Sequence, residues 1–333
     1  MAERWSPHHL RLHRHLLRQP ALLPQGGVLL VALSGGQDSM ALVALLRDLQ
    51  RLHHWDLQLW HGDHQWRPES GQQASELEAW AQSQGLALSI DRWSAPIHRE
   101  AAARDWRYGC LIERARELQA SHVVTAHTAS DRAETLLLHL ARGSHRRGLA
   151  SLPGQRELGE GLHLVRPLLI FSRQDTTQIC EDLQLPIWLD PSNHDPQFSR
   201  NRVRAEVLPV LEALHPGASR RINTLAERLS EEDNHQGELL ALALEQLRSA
   251  EHPEGLQRRR LIALSPANQR DLLQTWLQAD AELTLEAAPL NTLLARLARD
   301  PGPSQMDLAG PWRLQWDRTT LHLKIQPNAE INP

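Results

Sequence analysis

Ser34-Gly35-Gly36-Gln37-Asp38-Ser39 is a polar hexapeptide set between an apolar strand candidate, Val28–Leu33, and an apolar helix candidate, Ser39–Leu52. Two adjacent glycines let backbone N–H groups turn inward with no Cβ in the way, and the N-terminus of the following helix adds partial positive charge. Ser34 and Ser39 contribute hydroxyl donors. Such a turn suits an anion, and phosphate above all. Two common phosphate loops are excluded. A Walker A loop needs G-x-x-x-x-G-K-[ST], but the one lysine of the chain is Lys324; a dinucleotide fingerprint needs a third glycine that is absent here. Asp38 stands out, because a carboxylate beside an anion site is unfavourable unless a cation lies between them.

Other polar groups follow later strand candidates. His61-Gly62-Asp63-His64 comes after the second, and His127 to Thr135 after the fourth. On a helix Asp131, Glu134 and Thr135 share one face at i, i+3 and i+4, which places two carboxylates near the first turn. Such a pair suits a metal or an amine, although acids in a first turn also complement the helix dipole. Arginines cluster at Arg11/Arg14/Arg18, Arg142/Arg146/Arg147, Arg200/Arg202/Arg204 and Arg258/Arg259/Arg260. Local basic groups of this kind matter more for phosphate binding than the net charge of −4.

The elements that must position these residues alternate. Strands are expected at Val28–Leu33, Leu57–His61, Leu86–Asp91, His122–Ala126 and His163–Leu168. Between and after them, helices are expected at Ser39–Leu52, Ala74–Gln84, Arg99–Gln119, Arg132–Ala141 and Gln174–Leu183. The pattern predicts an α/β fold with a doubly wound, mainly parallel five-stranded sheet, whose ligand site lies at the carboxyl ends of the strands. A linker-like stretch, Leu189–Pro196, and a helix over 199–214 end at His215-Pro216-Gly217, so the first domain is expected at residues 1–216. Residues 217–333 read as a smaller, mainly helical second domain: a long helix over 219–248, further helices, and a terminal hairpin of Trp312–Trp316 and Thr320–Ile325.

Composition narrows the class. With 41% hydrophobic and 23% charged residues the chain is expected to be soluble and to fold without staples. Cys110 and Cys180 alone exclude a disulfide scaffold and offer no CxxC or four-thiolate metal site, as expected in a reducing compartment. No run of about 18 apolar residues and no signal-peptide core occur, so a cytoplasmic protein without membrane contact is expected.

S-G-G-x-D-S after an apolar strand resembles the pyrophosphate (PP) loop of ATP pyrophosphatases, and the later segments narrow the resemblance to the tRNA(Ile)-lysidine synthetase family. HGDHQWRPES at 61–70 is similar to that family's H-V-D-H-x-L-R-x-x-S, and AARDWRYG at 102–109 to its A-R-x-x-R-Y. AHTASDRAETLLLHLARGSHRRGLASLP at 126–153, VRPLL at 165–169 and WLDPSNHDPQFSRNRVRAEVLPVL at 188–211 continue the match. The departures are Thr128 for the second His of a His-His pair, Ser130 for the first Asp of an Asp-Asp pair, His145 for a Gly, and Trp66 for a Leu.

The resemblance implies an adenine nucleotide alpha hydrolase-like fold for an N-type ATP pyrophosphatase catalytic domain at 1–216. It also implies a tRNA-binding role for 217–333, without the additional C-terminal domain of longer members. The implied reaction uses ATP and Mg²⁺ to adenylate the wobble cytidine of CAU-anticodon tRNA(Ile), which free L-lysine then attacks to give lysidine, AMP and pyrophosphate. On this resemblance Ser34, Gly35, Gly36, Gln37, Asp38 and Ser39 hold ATP, with Asp38 also holding the metal. Arg107 and His127 stabilise the α-phosphate or adenylate, and Asp131 and Glu134 complete the catalytic set. Asp63, His64 and Thr135 are expected at the substrate, and Arg142, Arg146, Arg147, Arg200, Arg202 and Arg204 along the tRNA backbone. Homodimerisation is left open. The alternatives are another PP-loop tRNA-modifying enzyme, or a noncatalytic tRNA-binding protein with a degenerate nucleotide site; a thiolase is disfavoured because two isolated cysteines supply no thiolase pattern.

Overall fold

The structure is a computed structural model that describes residues 5–65, 69–93, 100–159, 161–188, 197–249, 254–299 and 302–326. Trp66 and the linker 189–196 lie outside them. The chain divides into two compact units, 1–230 and 231–333.

In the first unit the order is α1 (Pro7–Arg18), β1 (Val28–Ala32), α2 (Gln37–His53), β2 (Asp56–Asp63), α3 (Ser70–Ser83), β3 (Ala87–Arg92), α4 (Glu100–Glu117) and β4 (His122–Val124). Then come α5 (Ala129–Ala141), α6 (Arg146–Leu149), β5 (Gln155–Gly159), β6 (Leu162–Val165), a 3-10 turn at Pro167–Ile170, and α7 (Arg173–Asp182). A last helical stretch joins α8 (Ser199–Arg202), a π turn at Val203–Val207 and α9 (Leu208–Leu214). Pro209 has no N–H to give the i−4 carbonyl, and the Leu208 N–H bonds Val203 O five residues back, which is the π geometry.

The sheet has six strands in the order β3-β2-β1-β4-β6-β5. β1 pairs in parallel with both β2 and β4, so the chain reverses its direction of travel across the sheet at β1, the switch point where ligands bind in this class. Five strands were expected; the sixth is β5, antiparallel to β6 at the edge. The expected strand His163–Leu168 ends at Val165, because Pro167 cannot donate to a ladder and the chain turns into the 3-10 segment.

Period-2 alternation along β1 divides the core. Leu29, Val31 and Leu33 face a layer built from α1, α2, α3 and α7, whereas Leu30 faces Trp60, Val123, Leu164 and the α4 residues Leu111 and Ala115. α2 is buried all round from Met40 to Leu46, as an inner helix must be. Each such leucine stabilises the fold by about 1.5–3 kcal/mol on burial. α1, which the sequence offered only as a basic cluster, buries His9, Leu12 and Leu16; His9 Nε2 lies 3.0 Å from Asp48 Oδ2 on α2.

The helix α10 (Ala218–Leu247) runs through the division between the units. The boundary expected at 216/217 thus differs from the division at 230/231, since Asn223 and Ala226 are buried in the first half of the helix and Leu244 and Leu247 join the core of the second unit. That unit adds β7 (Leu256–Gln257), α11 (Arg258–Ile262), α12 (Pro266–Ala281), α13 (Ala287–Arg299), β8 (Ser304–Asp307), β9 (Trp312–Trp316) and β10 (Thr320–Ile325). The expected hairpin β9–β10 is the centre of a four-stranded sheet, β7-β10-β9-β8. Trp276 is fully buried and donates Nε1–H to Asp280, which also takes a two-point bond from Arg248.

Candidate active site

The loop 34–39 leaves β1 at the switch point and opens α2. Gly35 has φ +81°, and a Cβ there would meet Leu77 Cδ1 at 3.1 Å, so both the turn and the close packing need glycine. Gly36 is the N-cap of α2 and makes no side-chain cap, which leaves the first N–H groups of the helix pointing out of the loop. The two serines preshape it. The Ser34 N–H donates to Ser39 Oγ at 3.2 Å, the Gly36 N–H donates to Ser34 Oγ at 3.3 Å, and Ser39 Oγ–H donates to Gly36 O at 2.8 Å. Gln37 faces elsewhere: its amide donates to Arg173 O and Thr176 Oγ1 and ties α2 to α7.

Asp38 sits just inside α2. Its Oδ1 accepts from Thr176 Oγ1, and Arg173 Nη1 lies 3.9 Å from its Oδ2. Burial pushes the Asp38 carboxyl up to about 6, and the negative charge of Asp131 adds to the rise against Thr176, Arg173 and Arg204. Asp131 comes from α5, which follows β4, so the β1–β4 pairing (Val31 beside Val124) brings two helix N-termini and two carboxylates together. Among the described residues no group of three or more His, Cys, Asp or Glu forms a metal cage. Mg²⁺ does not require one. It is commonly held by one or two carboxylates with phosphate oxygens and water, and two mutually repelling carboxylates beside an anion loop fit that donor set.

Asp131 divides its oxygens. Oδ2 accepts from Thr128 N–H and Thr128 Oγ1–H, both at 2.7 Å, in a capping box that starts α5. Oδ1 accepts from Arg200 Nη2 at 2.8 Å, with Arg204 Nη2 at 3.7 Å. Burial would raise this carboxyl, but Arg200, His127 and the Thr128 hydrogen bonds hold it below the usual range. Glu134, with its side chain 1% exposed, accepts from Arg200 Nε at 2.8 Å and from Arg204 Nε at 2.7 Å and Nη2 at 2.9 Å. Arg200 and Arg204 are thus turned onto the acidic pair, whereas exposed Arg202 pairs with Glu206 one turn on. Thr135 Oγ1–H bonds back to Asp131 O within the helix.

His127 follows β4, its Nδ1 3.1 Å from Thr125 Oγ1. Burial, with Arg166, Arg200 and Arg107 adding and Asp131 opposing, pushes its pKa down to about 4, so the imidazole is neutral near pH 7. Arg107 is exposed on α4 within electrostatic reach of that ring. Asp63 is buried at the end of β2, where Oδ1 accepts from Gln65 N–H and Arg92 lies 3.8 Å from Oδ2. The His64 ring packs edge-on against Trp106 at 5.0 Å. Arg142, Arg146 and Arg147 are exposed at and just beyond the end of α5.

Arg173, Thr176 and Ser130 lie outside the site residues expected from sequence. The signal for the first two was the Ser172/Asp175 capping box, which starts α7 at the carboxyl edge of the sheet and so aims Arg173 and Thr176 at Asp38. Ser130 Oγ accepts from Arg173 N–H at 3.1 Å and joins the N-termini of α5 and α7. Cys180 is buried, donates to Gln37 O, and is pushed up to about 11 by burial and by Asp38, which suits packing rather than sulfur chemistry.

The PP-loop domain model matches residues 10–211. A tRNA(Ile)-lysidine synthase of Parasynechococcus marenigrum is 53% identical over 331 residues, covering 97% of this chain and 96% of that protein. The chain belongs to the tRNA(Ile)-lysidine synthase family. A second relative, a tRNA(Ile)-lysidine synthase of Prochlorococcus marinus, is 42% identical over 327 residues and 96% of both chains. A solved U34-tRNA thiolase from Methanococcus maripaludis overlays with a TM-score of 0.57 at 16% identity, covering 67% of this chain and 78% of that one, which speaks for the fold alone. For a tRNA(Ile)-lysidine synthase family member, Thr128 and Ser130 are the informative departures. Thr128 caps α5 and Ser130 bonds α7, so both positions have structural work that neither a His nor an Asp is needed to perform.

Proposed function

We propose that this chain uses its ATP-binding PP loop to adenylate the wobble cytidine of a CAU-anticodon isoleucine tRNA and to join free L-lysine to its C2, yielding lysidine. The observation that carries this reading is the β1–β4 pairing, which sets the N-terminus of α2, with Asp38 on the phosphate loop, beside that of α5, with Asp131 on its acidic face. A nucleotide site and an amine site would then lie side by side at the carboxyl edge of the sheet.

In the first step the C2 oxygen of cytidine attacks the α-phosphorus of ATP and pyrophosphate leaves. The loop N–H groups, Ser34 and Ser39 would receive the phosphates, and Arg107 would offset charge that builds on the α-phosphate. Mg²⁺, held by Asp38 with Asp131 nearby, would supply charge neutralisation for the departing pyrophosphate. In the second step the lysine amine attacks C2 and AMP leaves with the original oxygen, while the amine gives up its proton. A poor leaving group has become a good one, so what remains is mainly positioning. Free lysine carries a carboxylate and ammonium groups. Arg200, with its side chain 37% exposed, would leave Asp131 Oδ1 to an ammonium and turn to the carboxylate. Neutral His127 would contact the adenylate as a hydrogen-bonding group rather than as a charge. The exposed Arg142, Arg146 and Arg147 and the second unit would bind the tRNA backbone, and Asp63 and His64 would line the substrate side.

Among the described residues no helix is long and apolar enough to cross a membrane. A homodimer is a separate expectation, to be read by light scattering. The central test incubates the protein with radiolabelled lysine, ATP and CAU-anticodon isoleucine tRNA transcript. Incorporation that Asp38→Ala removes supports the reading; no labelling of the tRNA in the presence of ATP refutes it.

A further inference from the structure

Three arginines gather round one phenol on the far side of β4 from the phosphate loop. Arg166, the residue after β6, is 2% exposed, donates Nη1–H to Pro153 O at 2.6 Å and lies within electrostatic reach of Tyr108, yet its Nε has no hydrogen-bond partner. The Arg156 guanidinium, from edge strand β5, lies 4.9 Å from the centroid of the Tyr108 ring, and that of Arg104, one turn before Tyr108 on α4, lies 5.6 Å from it. Among the described residues none of the three is ion-paired with a carboxylate. Buried or clustered guanidinium groups are normally balanced by acids, so a cluster without them calls for an anion from outside.

The charges register on their neighbours. Burial would raise the Tyr108 phenol, but the Arg156 hydrogen bond and the charges of Arg166 and Arg104 hold it below the usual tyrosine range. Burial, with Arg156 and Arg132 beside it, pushes Arg166 down to about 10. β4 and β6 pair with Val124 beside Val165, so Arg166 leaves its strand next to the β4 end that carries His127, and the cluster lies beside the candidate site. Position decides between anions. β6 is two strands from β1, roughly 10 Å at the usual strand spacing, and the β4 end with His127 lies between them. The phosphates of ATP belong to the loop after β1. A nucleotide whose base entered beside His127 would bring its own backbone phosphates to this side of the sheet.

We propose that Arg104, Arg156 and Arg166, arranged about Tyr108, form a second anion site that grips one backbone phosphodiester of the RNA substrate next to the nucleotide being modified. This rests on the reading of the chain as a tRNA-modifying enzyme. The bidentate fork of Arg suits a phosphodiester, and the buried Arg166 fixes the site while Arg156 and Arg104 approach from the rim.

The test measures binding of anticodon stem-loop RNAs that each carry one neutral 2′-O-methyl methylphosphonate linkage, against 2′-O-methyl phosphodiester controls. The proteins are the parent, Arg156→Gln and Arg104→Gln. One loop position is expected to weaken binding to the parent about tenfold, with no further loss in Arg156→Gln. Arg156→Gln should also lower the salt slope by about one phosphate contact while KM for ATP stays unchanged. Arg104→Gln, on the exposed face of α4, repeats the measurement should Arg156→Gln unfold. The proposal is overturned if no single linkage matters to the parent, if variant and linkage losses simply add, or if KM for ATP rises while RNA binding holds. Should the parent bind no stem-loop at all, the tRNA reading falls together with this site; should it bind while both variants match it, this site alone falls.

Discussion

Arg204 grips Glu134 through two parallel hydrogen bonds, Nε to Oε1 at 2.7 Å and Nη2 to Oε2 at 2.9 Å, and Arg200 Nε shares Oε2 at 2.8 Å. Glu134 is fully buried, so its charge is compensated by these two arginines and theirs by it. Removing one member of a buried set leaves charge without an answer. Glu134→Gln is expected to cost about 3–5 kcal/mol in urea unfolding, and Arg204→Lys less, since an ammonium keeps the charge but not the fork. A Glu134→Gln protein as stable as its parent would contradict this view of the pair.

Asp38 carries a carboxyl pushed up to about 6, above the ordinary 3.8, by burial and by Asp131. The folded state therefore holds its proton more tightly than the unfolded chain. Stability from this group is complete below about pH 4 and is lost as pH rises through 6. At pH 7 without Mg²⁺, Asp38→Asn should raise stability by about 1–2 kcal/mol, and in a separate assay with ATP and Mg²⁺ it should abolish lysine incorporation. Calorimetry at pH 4 should show that gain disappear; an equal gain at both pH values would show that charge is not its source.

His127 behaves oppositely. Its pKa is pushed down to about 4 from 6.5, chiefly by burial, so the folded state binds fewer protons than the unfolded chain between those values. Stability from this group is full above pH 6.5 and falls as pH drops toward 4. His127→Gln should flatten that part of the acid-unfolding curve, and the imidazole resonances in NMR should not titrate above pH 5. A midpoint near 6.5 would rule out a neutral, desolvated ring.

Gly35 and Gly36 should respond differently to alanine. At Gly35 the positive φ and the contact with Leu77 predict a loss of about 1–2 kcal/mol together with weakened ATP binding. At Gly36 a Cβ meets only Ser34 Oγ at 3.4 Å, so stability should hardly change. Thermal unfolding of the two variants side by side decides it; equal losses would mean that φ is not the cause.

Arg146 and Arg147 project from the exposed turn after α5. Replacing both with Ala should weaken tRNA binding and reduce the slope of log K against log salt by one to two contacts, or roughly 0.7–1.8. An unchanged slope would remove them from the tRNA surface.

Much of the scaffold was legible because it is local. Short apolar runs bounded by polar turns marked β1 to β4, the longer apolar stretch after the glycine turn marked α2, and the 3.6 period marked α12. β5 escaped because Gln155-Arg156-Glu157-Leu158-Gly159 has one large apolar residue; an edge strand pairs through its backbone and needs little else. α1 escaped because its buried face is His9, Leu12 and Leu16, and a buried histidine breaks the apolar pattern. The motif after β1 announced a phosphate site from its own residues. What sequence could not supply were the long-range partners: Arg200 meets Glu134 across 66 residues and Thr176 meets Asp38 across 138. Side chains at such separations are paired by topology, and nothing in their own neighbourhood records it.

Asp131 shows what that pairing implies for ligand affinity. Its Oδ2 belongs to the start of α5 and its Oδ1 to Arg200, so the carboxylate is aimed before any substrate arrives. On the proposed reading an arriving ammonium would find no rotamer to freeze but would have to win an exchange, and its affinity would be the difference between two cations competing for one oxygen. An asparagine here would turn an amide N–H₂ toward either Thr128 or Arg200, donor against donor, whichever way it flipped.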